Sequence, residues 1–162
     1  MPSGAVRGAA IFDPTGAYRY ALRRSWARGQ RAAFVMLNPN TADAVRDDPT
    51  IRRCVGFARR WGCGSLDVVN LFAYRTVDPR VLARVADPVG PENDRHLARA
   101  IRGADLVVYA WGAFPLARER AERLAATLGG TPALCLGLTR TGAPRHPLYL
   151  RADTALRPIS GW

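Results

Sequence analysis

Four short apolar runs, separated by stretches with helical spacing, constrain this chain more than any other feature. They cover residues 32–37 (AAFVML), 66–71 (LDVVNL), 104–110 (ADLVVYA) and 133–138 (ALCLGL). An uninterrupted apolar run of this length that stops at a turn is the pattern of a strand covered on both faces. Helix signals fall between the runs. Asp48 stands before Pro49 as an N-cap, and Ile51, Val55, Ala58 and Trp61 follow on one stripe that ends near Gly62. A second helix is predicted from Pro91, with Leu97, Ala98, Ile101 and Ala104 on its core face, and a third over 115–128. Strands alternating with helices predict an α/β fold with a parallel sheet between helices. Ahead of it, residues 9–23 alternate around the turn Asp13-Pro14-Thr15-Gly16, which predicts an antiparallel β-hairpin. Residues 72–90 and the tail read as irregular. With 162 residues and no linker, repeat or low-complexity segment, one domain over 1–162 is expected.

Ligands of open parallel sheets bind outside the carboxyl ends of the strands. That rule selects Asn38, Pro39, Asn40 and Thr41 after the first run, and Asn70, Phe72, Tyr74 and Arg75 at the end of the second. It also selects Trp111 and Gly112 after the third, and Arg145, His146 and Pro147 after the fourth. Asn-Pro pairs also begin turns, a Trp-Gly pair also closes a packed strand, and a histidine before proline also occurs in ordinary loops, so each segment has a purely structural reading. Asn70 is the sharpest signal. Set between Val69 and Leu71, its amide needs partners when buried, and one acceptor with two donors suits the edge of a nucleobase. His96, by contrast, reads as structural or solvated.

The 24 basic residues are all arginine and stand against 13 acidic ones, a net charge of +11. Arginine presents a planar fork to phosphate and stacks on flat rings, so a nucleic acid or nucleotide is the expected partner; a merely basic surface is the plain alternative. Arg52, Arg53, Arg59 and Arg60 share a helix after the first sheet-edge loop, where they would steer an anion. No run approaches the roughly 18 apolar residues of a membrane span, and no secretory signal pattern opens the sequence, so a cytoplasmic location is expected. Cys54, Cys63 and Cys135 form no CxxC pair, and Asp43, Asp47 and Asp48 lack an evident fourth ligand. Neither a metal nor a cofactor is expected.

The segments LNPNTADAVRDDPTIRRCVGFARRWG, DVVNLFAYRTVDPR, DPVGPEND, LVVYAWG and CLGLTRTGAPRHPLYL resemble the domain of unknown function 1643 (DUF1643) family, from about Ala9 to the C-terminus. In order and spacing they also resemble, more distantly, the uracil-DNA glycosylase superfamily. That resemblance implies a three-layer α/β/α fold on a central, mainly parallel four-stranded sheet, with the N-terminal hairpin added. It implies that Asn38, within Met36-Leu37-Asn38-Pro39-Asn40, positions the attacking water and that Asn70 reads the base edge. Trp111-Gly112 is similar to the superfamily's Trp-Gly motif. His146-Pro147 is similar to its His-Pro motif, whose histidine stabilises the departing base anion. Met36 and Asn40 replace small residues of the first motif, and Leu148-Tyr149 replaces the Ser-Pro wedge that pushes a base from duplex DNA, which sets this chain apart from duplex base flipping. The four cysteines of the superfamily's iron–sulfur branches are missing. The expected function is handling of a nucleobase, with hydrolysis of an N-glycosidic bond in a nucleotide, nucleoside or single-stranded nucleic acid as its chemistry. The alternative is a non-catalytic nucleic-acid or nucleotide-binding module on the same fold.

Overall fold

A computed structural model describes residues 5–128 and 132–159. Its strands are β1 (Arg7–Phe12), β2 (Arg19–Ser25), β3 (Arg31–Met36), β4 (Ser65–Asn70), β5 (Leu106–Tyr109), β6 (Leu134–Cys135) and β7 (Arg157–Pro158), and its α-helices are α1 (Pro49–Arg60), α2 (Asn93–Arg102) and α3 (Pro115–Leu128). All strands join one sheet in the order β1-β2-β4-β3-β5-β6-β7. The pairings of β3 with β4, β3 with β5, and β5 with β6 are parallel, while β1–β2, β2–β4 and β6–β7 are antiparallel. The protein is therefore α/β with a mixed seven-stranded sheet; the antiparallel addition expected at the N-terminus is part of it, and β7 goes beyond the strands expected. The hairpin is hydrogen-bonded into the sheet through β2, and the tail predicted to be irregular supplies the edge strand β7.

Two apolar clusters form because successive side chains of a strand point to opposite faces. Phe34, Met36, Leu66 and Val68 pack with Ile51 and Phe57 of α1. Val35, Val69, Leu71, Val107 and Tyr109 pack with Leu97 and Ile101 of α2 and Ala117 and Leu124 of α3. Removing each of the larger side chains from water contributes about 1.5–3 kcal/mol. The stripe of α1 is wider than its spacing suggested: Cys54 and Phe57 are buried beside Ile51 and Ala58, while Val55 and Trp61 are partly covered. No helix among the described residues is long and apolar enough to cross a membrane.

Local chemistry explains the boundaries. Asp48 caps α1 as expected, its Oδ1 accepting the Ile51 N–H at 2.9 Å. The second helix begins at Asn93 rather than at Pro91, and a 3-10 helix over Pro79–Ala83 interrupts the stretch expected to be irregular. The fourth run is a strand only over Leu134–Cys135, because Gly137 turns into the left-handed region at φ 108° and leads the chain out of the ladder.

One irregularity re-aims a side chain. In the β1–β2 pairing Ile11 faces Ala21, yet Phe12 faces Arg19, so Tyr20 is an extra residue on β2. Ala21 belongs to the α2 side of the sheet. Tyr20 points there too, its ring 4.9 Å from that of His96 and 13° from parallel. With two consecutive residues on one face, Arg19 is turned to the other, where its Nη1 donates to the Ala42 carbonyl at 3.0 Å.

Candidate functional site

Where β3 and β4 end, the chain surrounds a cavity of about 420 Å³, within the roughly 300–1,000 Å³ of small-molecule sites. Asn38, Asn40, Asn70, Trp111 and His146 line it, as do Arg19, Met36, Asp48, Thr76, Val77, Leu148 and Tyr149. Four separate sheet-edge segments are thus brought to one place. Of the other residues selected from the sequence, Thr41 and Arg75 border a neighbouring depression shared with Asn40 and Thr76. Gly112 borders a cavity behind Trp111. Pro39 is buried, and its carbonyl accepts the Thr76 N–H at 3.1 Å. Phe72 is buried in the α2–α3 cluster, and Tyr74 packs edge-on against Tyr18. Arg145 is exposed, its Nε donating to the Leu138 carbonyl.

Asn38 follows β3. Its Nδ2 donates to the carbonyls of Thr76 at 2.8 Å and Pro39 at 3.0 Å. Both neighbours are acceptors, so they fix the amide orientation and leave Oδ1 with capacity for a further donor such as water.

Asn70, the last residue of β4, shares the face of Leu66 and Val68 and is 1% exposed. Neither its Nδ2 nor its Oδ1 has a hydrogen-bond partner among the described residues. An unpaired buried amide costs roughly 1–3 kcal/mol, and this one stands on a cavity wall, where a water or a ligand group can reach it. The backbone beneath it is held firmly. Asn93 of α2 donates from Nδ2 to the carbonyls of Asn70 at 2.9 Å and Leu71 at 3.2 Å. Arg120 of α3 donates from Nε to the Leu71 carbonyl at 2.9 Å and pairs with Asp94.

His146 is half-buried. Its Nδ1 accepts the Leu148 N–H at 3.2 Å, which places the proton of the neutral ring on Nε2. Burial pushes its pKa below the ordinary histidine value, while the nearby charge of Asp48 acts weakly the other way. The His146 loop is tied to the end of β5 by the Gly112 N–H donating to the Pro144 carbonyl at 2.9 Å. Gly112 adopts φ 79°, and a Cβ there would stand 3.6 Å from that of His146. The Trp-Gly pair therefore serves as the turn against which the histidine loop packs.

Arg19 and Asp48 were not singled out as cavity residues by sequence reasoning. Asp48 is 6% exposed, and its oxygens accept from the backbone of Ile51 and Ala42. It does not gather a metal set: Asp43 accepts from Val45 and Arg46, and Asp47 pairs with Arg24. No group of three or more potential ligands that could hold a metal ion occurs among the described residues. On α1, Arg52, Arg59 and Arg60 are exposed, whereas Arg53 is partly buried over the Phe57 ring at 5.3 Å and Arg59 reaches over Trp26 at 5.2 Å.

A second cavity, of about 400 Å³, lies between β1, β2 and α2 and is lined by Arg23, Arg31, Asp67, His96 and Arg99. Two of its charged groups satisfy each other, Arg23 gripping Asp67 through two hydrogen bonds at 2.6 and 3.0 Å, and Arg31 donates to Ser65. Unpartnered polar atoms distinguish the cavity at the strand ends.

A family model described as a protein of unknown function, DUF1643, matches residues 19–148. The chain belongs to the DUF1643 family. No curated protein and no solved structure matches it. The matched span of this DUF1643 protein begins at Arg19 and ends at Leu148, so it includes all the cavity-lining residues named above except Tyr149.

Proposed function

We propose that this DUF1643 protein binds a nucleobase in the cavity at the strand ends and hydrolyses the N-glycosidic bond that carries it, in a nucleotide, a nucleoside or a single-stranded nucleic acid. The carrying observation is Asn70, a buried amide with donor and acceptor both unpartnered, in the same cavity as Asn38 and His146. The distant resemblance to uracil-DNA glycosylases supports the reading through the order of the Asn-Pro, Asn, Trp-Gly and His-Pro segments, and extends it to a three-layer arrangement about the parallel part of the sheet.

Breaking the bond leaves positive charge on the sugar carbon and carries the electron pair onto the base nitrogen. Asn38 Oδ1 would accept from a water and aim its oxygen at the sugar carbon, the water losing its second proton to solvent. Asparagine is no general base, so the reaction runs through a dissociative transition state and needs a base that leaves readily. On the opposite half of the transition state, Nε2–H of His146 donates to the departing anion without being a cation itself. Leu148 and Tyr149 at the rim do not form the Ser-Pro wedge, so an already unpaired base is the substrate.

The test is release of free base from a panel of modified nucleosides and single-stranded oligonucleotides. Asn38→Ala and His146→Ala are each expected to lower the rate about 100-fold or more. Absence of release, with both variants unchanged in every measured property, would remove the reading. A second reading, a non-catalytic nucleic-acid-binding module, is favoured by the exposed Arg52, Arg59 and Arg60 on α1 and the net charge of +11. It calls for salt-sensitive binding that weakens on charge reversal of those arginines and ignores His146→Ala.

A further inference from the structure

Two arginines of β2 are equally buried, each 2% exposed, and differ in what holds them. Arg24 pairs with Asp47 at 2.9 Å and donates to the carbonyls of Arg23, Asp43 and Arg46. Among the described residues Arg19 donates to a single acceptor, the Ala42 carbonyl, and its Nε has no partner. It forms no salt bridge among the described residues. Asp48, the acid whose charge reaches it, has its oxygens accepting from two backbone N–H groups. A guanidinium offers five N–H donors in a flat fork, and a buried cation with no carboxylate in contact, only the charge of Asp48 at longer range, is left with most of that fork unused. Burial accordingly pulls its pKa down to about 10. The Tyr20 bulge is what places this side chain on the cavity wall with Asn70 and His146.

We propose that Arg19 binds an oxyanion of the ligand, a phosphate or a carboxylate carried close to the base, and thereby selects charged ligands over neutral ones. The inference rests on the reading above for the place of the base. An oxyanion fits because it alone offers both charge and paired acceptors to the fork, supplying what Asp47 supplies to Arg24. A neutral carbonyl would satisfy a donor and leave the cation with only the more distant charge of Asp48.

Titration calorimetry on the full chain tests it. Four nucleosides are compared with their 5′-monophosphates, and uracil with uracil-6-carboxylate, so that phosphate and carboxylate are read separately; inorganic phosphate is the minimal probe. At least one charged ligand is expected to bind about 10-fold or more tightly than its neutral counterpart, and Arg19→Gln to abolish that difference. If Arg19→Gln does not fold, Arg19→Lys keeps the charge without the fork and should lower the preference several-fold. Equal binding of charged and neutral ligands by the wild-type protein overturns the inference, as does a preference that survives Arg19→Gln or Arg19→Lys unchanged. Neutral nucleosides that bind through Asn70 with no charge preference would leave the base reading standing and the Arg19 inference refuted. Phosphate held through Arg19 without any response to a base would do the reverse.

Discussion

The backbone N–H of Leu148 donates to Nδ1 of His146 at 3.2 Å, and this one bond decides which ring nitrogen carries the proton. Protonating the ring would put a hydrogen on Nδ1 against that N–H. Burial opposes the charge as well, so the folded-state pKa lies below 6.5. His96 shifts in the same direction, chiefly by burial. The unfolded chain thus binds more protons than the native one between the lowered values and pH 6.5, and stability rises with pH across that window. Urea midpoints are expected to fall as pH drops below about 6.5, with His146→Ala and His96→Ala each flattening the decline. Midpoints independent of pH between 5 and 7.5 would contradict this linkage.

Asn70→Leu separates stability from binding. The amide makes no hydrogen bond among the described residues, so an apolar side chain of similar shape removes a desolvation cost of roughly 1–3 kcal/mol. The variant is expected to be at least as stable as the wild type by denaturant unfolding and to lose ligand binding. Marked destabilisation would mean that the amide is satisfied in solution.

Asp48→Ala removes an N-cap and strips two backbone N–H groups of their acceptor. A cap alone is worth about 0.5–2 kcal/mol, so a loss near the top of that range is expected, read as a lower thermal midpoint. Asp48→Asn, which still presents an oxygen to Ile51, should lose less.

Asn93→Ala takes a donor from the carbonyls of Asn70 and Leu71 at the end of β4. A stability loss of about 1–3 kcal/mol is expected, together with faster hydrogen exchange at Leu71 and Phe72, whose amides donate to Met36 and Leu37. Exchange unchanged there would show that Arg120 alone secures the strand end.

Much of the scaffold was legible because its causes are local. An apolar run, an Asp-Pro cap and an Asp-Pro-Thr-Gly turn each act within a few residues, and β3, α1 and the β1–β2 hairpin fall where those signals stand. The rule that ligands sit at strand carboxyl ends selected Asn38, Asn70, Trp111 and His146, which do share a cavity. It also selected Phe72 and Tyr74, which lie away from it, because a strand end has two faces and the linear order does not say which one a loop residue joins. Sequence by itself therefore determined the α/β class, the capping of α1 and the concentration of polar residues at one sheet edge. Tertiary structure alone decided that β2 ties the hairpin to β4, that β7 lies on the far edge, and that the Asn70 amide goes unpartnered among the described residues. It also decided that one extra residue at Tyr20 turns Arg19 into the cavity. Those properties depend on which strands pair and in what register, and a shift of one residue exchanges the two faces of a strand.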